Sequence, residues 1–105
     1  VQLCMGIPWG APNDMNTYMA MVNNIPDDWV WSAFSIGRMQ MPYVSAAMLA
    51  GGNIRVGLED NLYLDRGVMA TNGQLVERAA SIATSMGAKI IGPDEVRAKL
   101  KLRKP

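Results

Sequence analysis

The sequence contains no histidine and only one cysteine, Cys4. The first absence removes imidazole acid–base chemistry and any zinc site with several local ligands. The second excludes an internal disulfide and fits a reducing compartment, so a cytoplasmic location is expected. Cys4 stands in an apolar run and reads as a small core residue. Long apolar runs are missing too, because Gly, Pro, Asn and Asp interrupt every hydrophobic stretch, so no membrane partner is expected. An excess of one charge is lacking: ten Lys and Arg against nine Asp and Glu leave a net charge of +1. That balance gives no electrostatic case for nucleic acid or an anionic surface. The basic end, residues 99–104, is short and reads as a solvated helix end. There is neither a charged leader nor an initiating methionine. The chain opens inside a strand pattern, so a preceding amino-terminal part is expected.

What is present is hydrophobic. Half of the 105 residues are apolar and 18% are charged, the composition of a folded core and not of a disordered segment. The length allows one domain or a piece of one. So apolar a chain with so large a surface relative to its volume suggests faces meant for other parts of a larger body.

The pattern along the chain is strand–helix, three times over, followed by a last helix. Residues 1–7 alternate, with Val1, Leu3, Met5 and Ile7 on one face and Gln2, Cys4 and Gly6 on the other. After the turn-forming residues 8–12, Asn13 or Asp14 can cap a helix carrying Met15, Tyr18, Met19 and Val22 at helical spacing. Residues 29–36 are apolar on both faces and read as a strand buried on both sides, with Trp29 and Trp31 inside. Gly37-Arg38 leads to a helix over residues 41–50, stopped by Gly51-Gly52 as left-handed caps. Residues 53–59 form the third strand and 61–69 a loop. Thr71 or Asn72 then caps a third helix with Leu75, Ala79, Ile82, Ala83 and Met86 inward and Gly87 at its end. The apolar stretch Lys89-Ile90-Ile91 precedes Gly92-Pro93, which opens a last helix over 94–102. This alternation predicts an α/β fold, a parallel sheet with helical crossovers. In such folds function collects at the carboxyl ends of the strands, where residues 8–13, 37–40 and 59–65 lie.

The most informative stretch is Gly51-Gly52-Asn53-Ile54-Arg55-Val56-Gly57-Leu58-Glu59-Asp60-Asn61. Strand alternation puts Asn53, Arg55, Gly57 and Glu59 on one side and Ile54, Val56 and Leu58 on the other. The second side is branched and apolar, fit for covering helices. The first carries an arginine and a glutamate around a glycine, with Asp60 at the strand's exit. Buried ions cost roughly several kcal/mol each unless they are paired, hydrogen-bonded or metal-bound, so the strand reads as built around a polar site. A structural Arg55–Glu59 pair holding neighbouring strands explains the same spacing.

Other motifs exclude more than they propose. Residues 6–12 have glycines but neither the spacing nor the lysine of a phosphate-binding loop. Gly51-Gly52 precedes a strand, the wrong side for a dinucleotide fingerprint. Nine methionines, with no histidine or clustered cysteine beside them, read as core filling and not as a copper or haem site. Trp9, on a rim loop, can line a ligand pocket.

Residues 51–61, with Gly37-Arg38 and Gln40 upstream and Asn72, Leu75, Val76 and Glu77 downstream, resemble the carboxy-terminal part of the beta-keto acid cleavage enzymes. Arg-Val-Gly-Leu-Glu-Asp-Asn is the specific core, and the resemblance covers essentially the whole chain. It implies a TIM (β/α)8 barrel, of which residues 1–105 supply the last three strand–helix units plus a terminal helix. A whole barrel needs eight such units and about 250 residues. The activity implied is condensation of a beta-keto acid with acetyl-CoA, giving acetoacetate and a new CoA ester. The resemblance also implies a zinc ion, held by Glu59 together with two histidines from a strand outside this chain. Asp60 would be the catalytic carboxylate and Arg55 its charged partner. The partners implied are the rest of the barrel and further copies in a homo-oligomer. A small non-catalytic α/β binding or association module, with Arg55–Glu59 as a structural pair, is the rival reading. An unrelated metal-dependent barrel lyase with a similar last strand is a third.

Overall fold

The structure, a computed structural model, describes residues 1–103. Lys104, at the basic end of the chain, lies outside the described residues. Three short parallel strands form one sheet in the order β1 (Gln2–Met5), β2 (Ser32–Ser35), β3 (Asn53–Ile54). Gln2 pairs with Ser32 and Cys4 with Phe34, while Ser32 pairs with Asn53 and Ala33 with Ile54. The crossovers are α1 (Met15–Asn23) and α2 (Gln40–Leu49), and β3 is followed by α3 (Asn72–Ser85) and α4 (Pro93–Lys99). The three strands are parallel and adjacent, as their alternation with helices requires. Among the described residues no helix is long and apolar enough to cross a membrane.

Local chemistry sets the helix ends. Asp14 caps α1, its carboxylate accepting from the Thr17 N–H at 2.8 Å. Thr71 and Gln74 form a reciprocal capping box on α3, each side chain accepting from the other's backbone N–H. Gly51 and Gly87 take positive φ after α2 and α3, closing both helices as left-handed residues. Gly52 does not. It is glycine because a Cβ there would stand 2.5 Å from the Trp31 ring.

The core lies on one side of the sheet. Leu3, Met5 and Ala33 pack with Tyr18 of α1 and Tyr43, Ala46 and Ala47 of α2, and Ile54 packs against the same cluster. Tyr18 and Tyr43 meet edge to face with centroids 5.3 Å apart, and the Tyr18 hydroxyl donates to the Ala46 carbonyl at 2.8 Å. Burial pushes the Tyr18 hydroxyl up to about 12, with the neighbouring Tyr43 adding to the shift. Val56, beyond β3, lines a hollow with Val76, Ala79 and Ala80 of α3, and Gln2 and Arg55 line it as well.

Four expectations need correction. The strands are shorter than residues 1–7, 29–36 and 53–59. Trp29 and Val30 lie before β2, half exposed, and are not buried strand residues. The β1 and β3 ladders pair with β2 from Ser32 onward, and before it only the carbonyls of Val30 and Trp31 are engaged, by the Val1 amino group and by Asn53. In α1 only Tyr18 is buried, leaving Met15 and Met19 exposed, and Met86 after α3 is exposed as well. Cys4 is half-buried on the face opposite the core, beside Gln2, because the strand's alternation puts Leu3 and Met5 on the core side. The loop after Asn61 is not structureless: β4 (Tyr63–Asp65) and β5 (Val68–Met69) form an antiparallel hairpin, turned at Gly67 with φ +75°.

The sheet is open. β1 and β3 are edges among the described residues, and Val1, Trp29, Val30, Leu62, Val68, Met69 and Ile90 are at least half exposed. Unpaired edges and exposed apolar surface favour association. Expressed by itself, residues 1–105 are therefore expected to aggregate or oligomerise. Size-exclusion chromatography with thermal melting checks this, and a cooperative transition in a clean monomer would contradict it.

Candidate active site

Arg55, Glu59 and Asp60 come together at the carboxyl end of β3. Alternation alone would send Asp60 to the face opposite Arg55. A turn brings it back: the N–H groups of Asp60 and Asn61 both donate to the Gly57 carbonyl at 3.2 Å. The Asp60 side chain is 5% exposed, so its ionised form must be paired. Arg55 pairs it in two places, with Nε 3.0 Å from Oδ2 and Nη2 3.4 Å from Oδ1. This forked geometry gives direction as well as attraction. Glu59 contrasts with it. Its side chain is 60% exposed and meets Arg55 only at 3.5 Å. The dominant partner of Arg55 is therefore Asp60, and the Arg55–Glu59 pair on which a purely structural reading rests is the weaker contact.

Neighbouring segments hold the turn. Gly37 takes φ +71° after β2, and its N–H donates to the Asp60 carbonyl at 2.7 Å. The fully buried Gln40, first residue of α2, donates from Nε2 to the Gly57 carbonyl at 3.0 Å. The Leu58 N–H donates to Asn72 Oδ1, at the start of α3, at 2.9 Å. Asn61 is buried, and its amide clasps the backbone of Tyr63 at the start of the hairpin. A Cβ at Gly57 would come within 2.5 Å of Glu59 Oε2, the far end of an exposed side chain that can swing aside. The Glu59 carboxylate lies back over that space.

The inner face of the sheet supplies the remaining contacts. Gln2 Oε1 accepts from Arg55 Nη1 at 2.6 Å, and Gln2 Nε2 donates to Ser32 Oγ at 3.1 Å. The Arg55 guanidinium carbon sits 4.3 Å above the centroid of the Phe34 ring. Neither Gln2 nor Phe34 was singled out from sequence. The signal for both is period two combined with parallel register, which puts them on the same face of the sheet as Arg55, with Gln2 in the row of Ser32 and Asn53. Cys4 shares that face. Burial pushes its thiol up, the Asp60 carboxylate adds to the shift and Arg55 opposes it. The thiol is thus kept protonated and is a poor nucleophile near neutrality. Trp9, 88% exposed, stands on the loop after β1 at the same end of the sheet.

Among the described residues no three His, Cys, Asp or Glu side chains converge as a metal cage. Glu59 is nevertheless suited to give one ligand. Its carboxylate is accessible and only loosely engaged, whereas that of Asp60 is already occupied by Arg55.

Comparison with known proteins supplies the context. A family model described as beta-keto acid cleavage enzyme matches residues 1–102. A 3-dehydrocarnitine:acetyl-CoA trimethylamine transferase of Rhizobium meliloti (strain 1021) is 71% identical over 104 residues, 99% of this chain and 35% of that protein. A 3-keto-5-aminohexanoate cleavage enzyme of Fusobacterium nucleatum subsp. nucleatum is 42% identical over 85 residues, covering 80% of this chain and 31% of its own length. A 3-oxoadipate:acetyl-CoA acetyltransferase of Cupriavidus necator is 31% identical over 106 residues, 97% of this chain and 37% of the relative. The chain spans about a third of the length of these curated relatives.

The charge environment of Cys4 yields a test of the site's geometry. Iodoacetamide should alkylate Cys4 more slowly at pH 8 than it alkylates free cysteine, because the raised thiol yields less thiolate. Asp60→Asn removes a charge that raises the thiol and should quicken the reaction. Arg55→Ala removes one that lowers it and should slow the reaction further. Mass-spectrometric time courses read all three.

Proposed function

The chain belongs to the beta-keto acid cleavage enzyme family, and on that premise we propose that it forms the carboxy-terminal part of a zinc-dependent enzyme of this kind. The enzyme condenses a beta-keto acid with acetyl-CoA to give acetoacetate and a new CoA ester. The observation that carries this reading is the division of labour between adjacent carboxylates: Asp60 buried and doubly paired with Arg55, Glu59 exposed and loosely held. In this reading residues 1–105 are the last three strand–helix units of a single TIM-barrel domain in a cytoplasmic homo-oligomer. Three parallel strands with helices over Leu3, Met5 and Ala33, and a polar face carrying Gln2 and Arg55, support it. So do the open edges, which other strands of a barrel would pair.

The donor set fits zinc as far as this chain contributes. Glu59 would be its ligand here, and the other donors would come from outside these residues. When bound, zinc supplies a Lewis acid for the keto acid's carbonyl. Asp60 acts as the base, taking a proton from the acidic carbon beside that carbonyl. Arg55 fixes the direction of the Asp60 oxygens and offsets their charge. Gly37, Gln40 and Asn72 hold the backbone of the turn, so the two carboxylates keep their relative positions. That is the preorganisation a positioned base requires.

The test uses a chimera in which residues 1–105 replace the matching segment of the Rhizobium meliloti transferase. Acetoacetate formation is measured with 3-dehydrocarnitine and acetyl-CoA, the pair in that relative's name, together with zinc content. Glu59→Gln is expected to lose zinc and activity, since an amide is a far poorer ligand than a carboxylate. Asp60→Asn is expected to keep zinc and lose turnover by about 100-fold or more, a typical share for a positioned base. Arg55→Ala should lower activity and also destabilise by up to about 3 kcal/mol, because it leaves the Asp60 carboxylate buried without its partner. An Asp60→Asn enzyme that loses its metal, beside a Glu59→Gln enzyme that keeps both metal and activity, would reverse the two roles.

A further inference from the structure

Arg55 has more partners than an ion pair needs. A guanidinium has five N–H donors in a rigid plane and no acceptor, so its orientation is set by what stands at each edge and on each face. One edge, Nε and Nη2, is given to Asp60. The opposite corner, Nη1, donates to Gln2 Oε1 at 2.6 Å, shorter than either contact to Asp60. One face lies against Phe34 at 4.3 Å, a cation–π distance, and Phe34 is itself buried. Gln2 is oriented in turn. Its Nε2 donates to Ser32 Oγ, which leaves the amide oxygen, the only atom a guanidinium can use, directed at Arg55.

We propose that Gln2 and Phe34 are positioning residues for the reaction: they fix the plane and rotation of the Arg55 guanidinium so that its other edge aims the Asp60 carboxylate. The residue types carry the argument. An acceptor is needed at Nη1, yet a carboxylate there would compete with Asp60 for the same cation. Glutamine is an acceptor without charge, so the whole positive charge stays with Asp60 and Glu59. A flat, apolar ring supports a guanidinium plane without offering a hydrogen bond that would turn it. The register is what makes this possible. β1 and β3 both flank β2, and Gln2, in the row of Ser32 and Asn53, reaches diagonally across β2 to Arg55, whose guanidinium lies over Phe34. Both residues act through Arg55, and nothing in their placement requires contact with substrate. The proposal rests on the reading of Asp60 as the base.

The same chimera tests it. Gln2→Leu and Phe34→Leu should each lower kcat on the order of tenfold with KM within about twofold, the pattern of a misdirected group and not of lost binding. Phe34→Tyr keeps the ring face and should lower kcat less than Phe34→Leu does. Arg55→Ala should regain turnover with added guanidinium chloride when Gln2 and Phe34 are intact, and should not when Gln2 is changed to Leu. A purely structural role would not make rescue depend on Gln2. Crystal structures of Gln2→Leu and Phe34→Leu read the positioning directly, whatever the turnover. The guanidinium should rotate away from Asp60 Oδ2, and an unchanged Nε contact would overturn the proposal. So would equal guanidinium rescue with and without Gln2, or wild-type kcat in both leucine variants while Asp60→Asn is inactive. Turnover retained by Asp60→Asn would instead remove the reading of Asp60, and the crystal structures would still decide whether Gln2 and Phe34 orient Arg55.

Discussion

A carboxylate almost entirely out of water organises this structure. The Asp60 side chain keeps about a twentieth of its accessible surface, and a buried ion without compensation costs roughly several kcal/mol. Here the compensation comes from a cation at hydrogen-bond distance, Arg55. Much of the surrounding sequence then follows. Gly37 must bend so that its N–H can meet the Asp60 carbonyl. Gln40 must be buried so that its amide can hold Gly57. The Gly57 carbonyl accepts from Gln40 and from the Asp60 and Asn61 N–H groups, and so holds the turn. The branched face of β3 sits under helices because its other face is committed to polar contacts.

Local features of this fold were legible in the sequence, and non-local ones were not. Asp14, Thr71, Gly51 and Gly87 mark helix ends through bonds that close within a few residues, so a short window contains the whole cause. The parallel order follows from alternation and the handedness of crossovers, rules that do not depend on detailed packing. Trp29 and Val30 misled because their hydrophobicity suits a buried strand, while the extent of a strand is decided by which neighbours exist to pair with it. The hairpin after Asn61 escaped because Asp65-Arg66-Gly67 is a weak turn signal and the flanking strands are only a few residues long.

The site divides the same way. Arg55, Glu59 and Asp60 were found because they crowd into six residues of an otherwise apolar strand. Their pairing was not fully legible: period two joins Arg55 to Glu59, whereas the stronger partner proves to be Asp60, delivered by a turn whose hydrogen bonds the pattern does not encode. Gln2 lies 53 residues from Arg55 in sequence and meets it only through the register of β1 on β2. No window over the chain contains that contact. Family membership adds the chemistry a strand end alone cannot specify, since the same side chains also make an ordinary structural ion pair.

The turn bearing the two carboxylates is tied to the fold by Gly37 and Gln40, between β2 and α2, and by Asn72 at the start of α3. The exposed rim segments are attached otherwise. The Trp9 loop closes on itself through the Gly6 and Ile7 N–H groups and the Ala11 carbonyl. The hairpin leans on α3 through Arg78, which donates to the Leu64 carbonyl and to Asp65. Apart from the Asn61 clasp on Tyr63, the turn and the rim segments thus hang from separate anchors. A scaffold wired this way can exchange its exposed rim segments while the carboxylate pair stays in register, so the fold behaves as a fixed tool head with interchangeable guides.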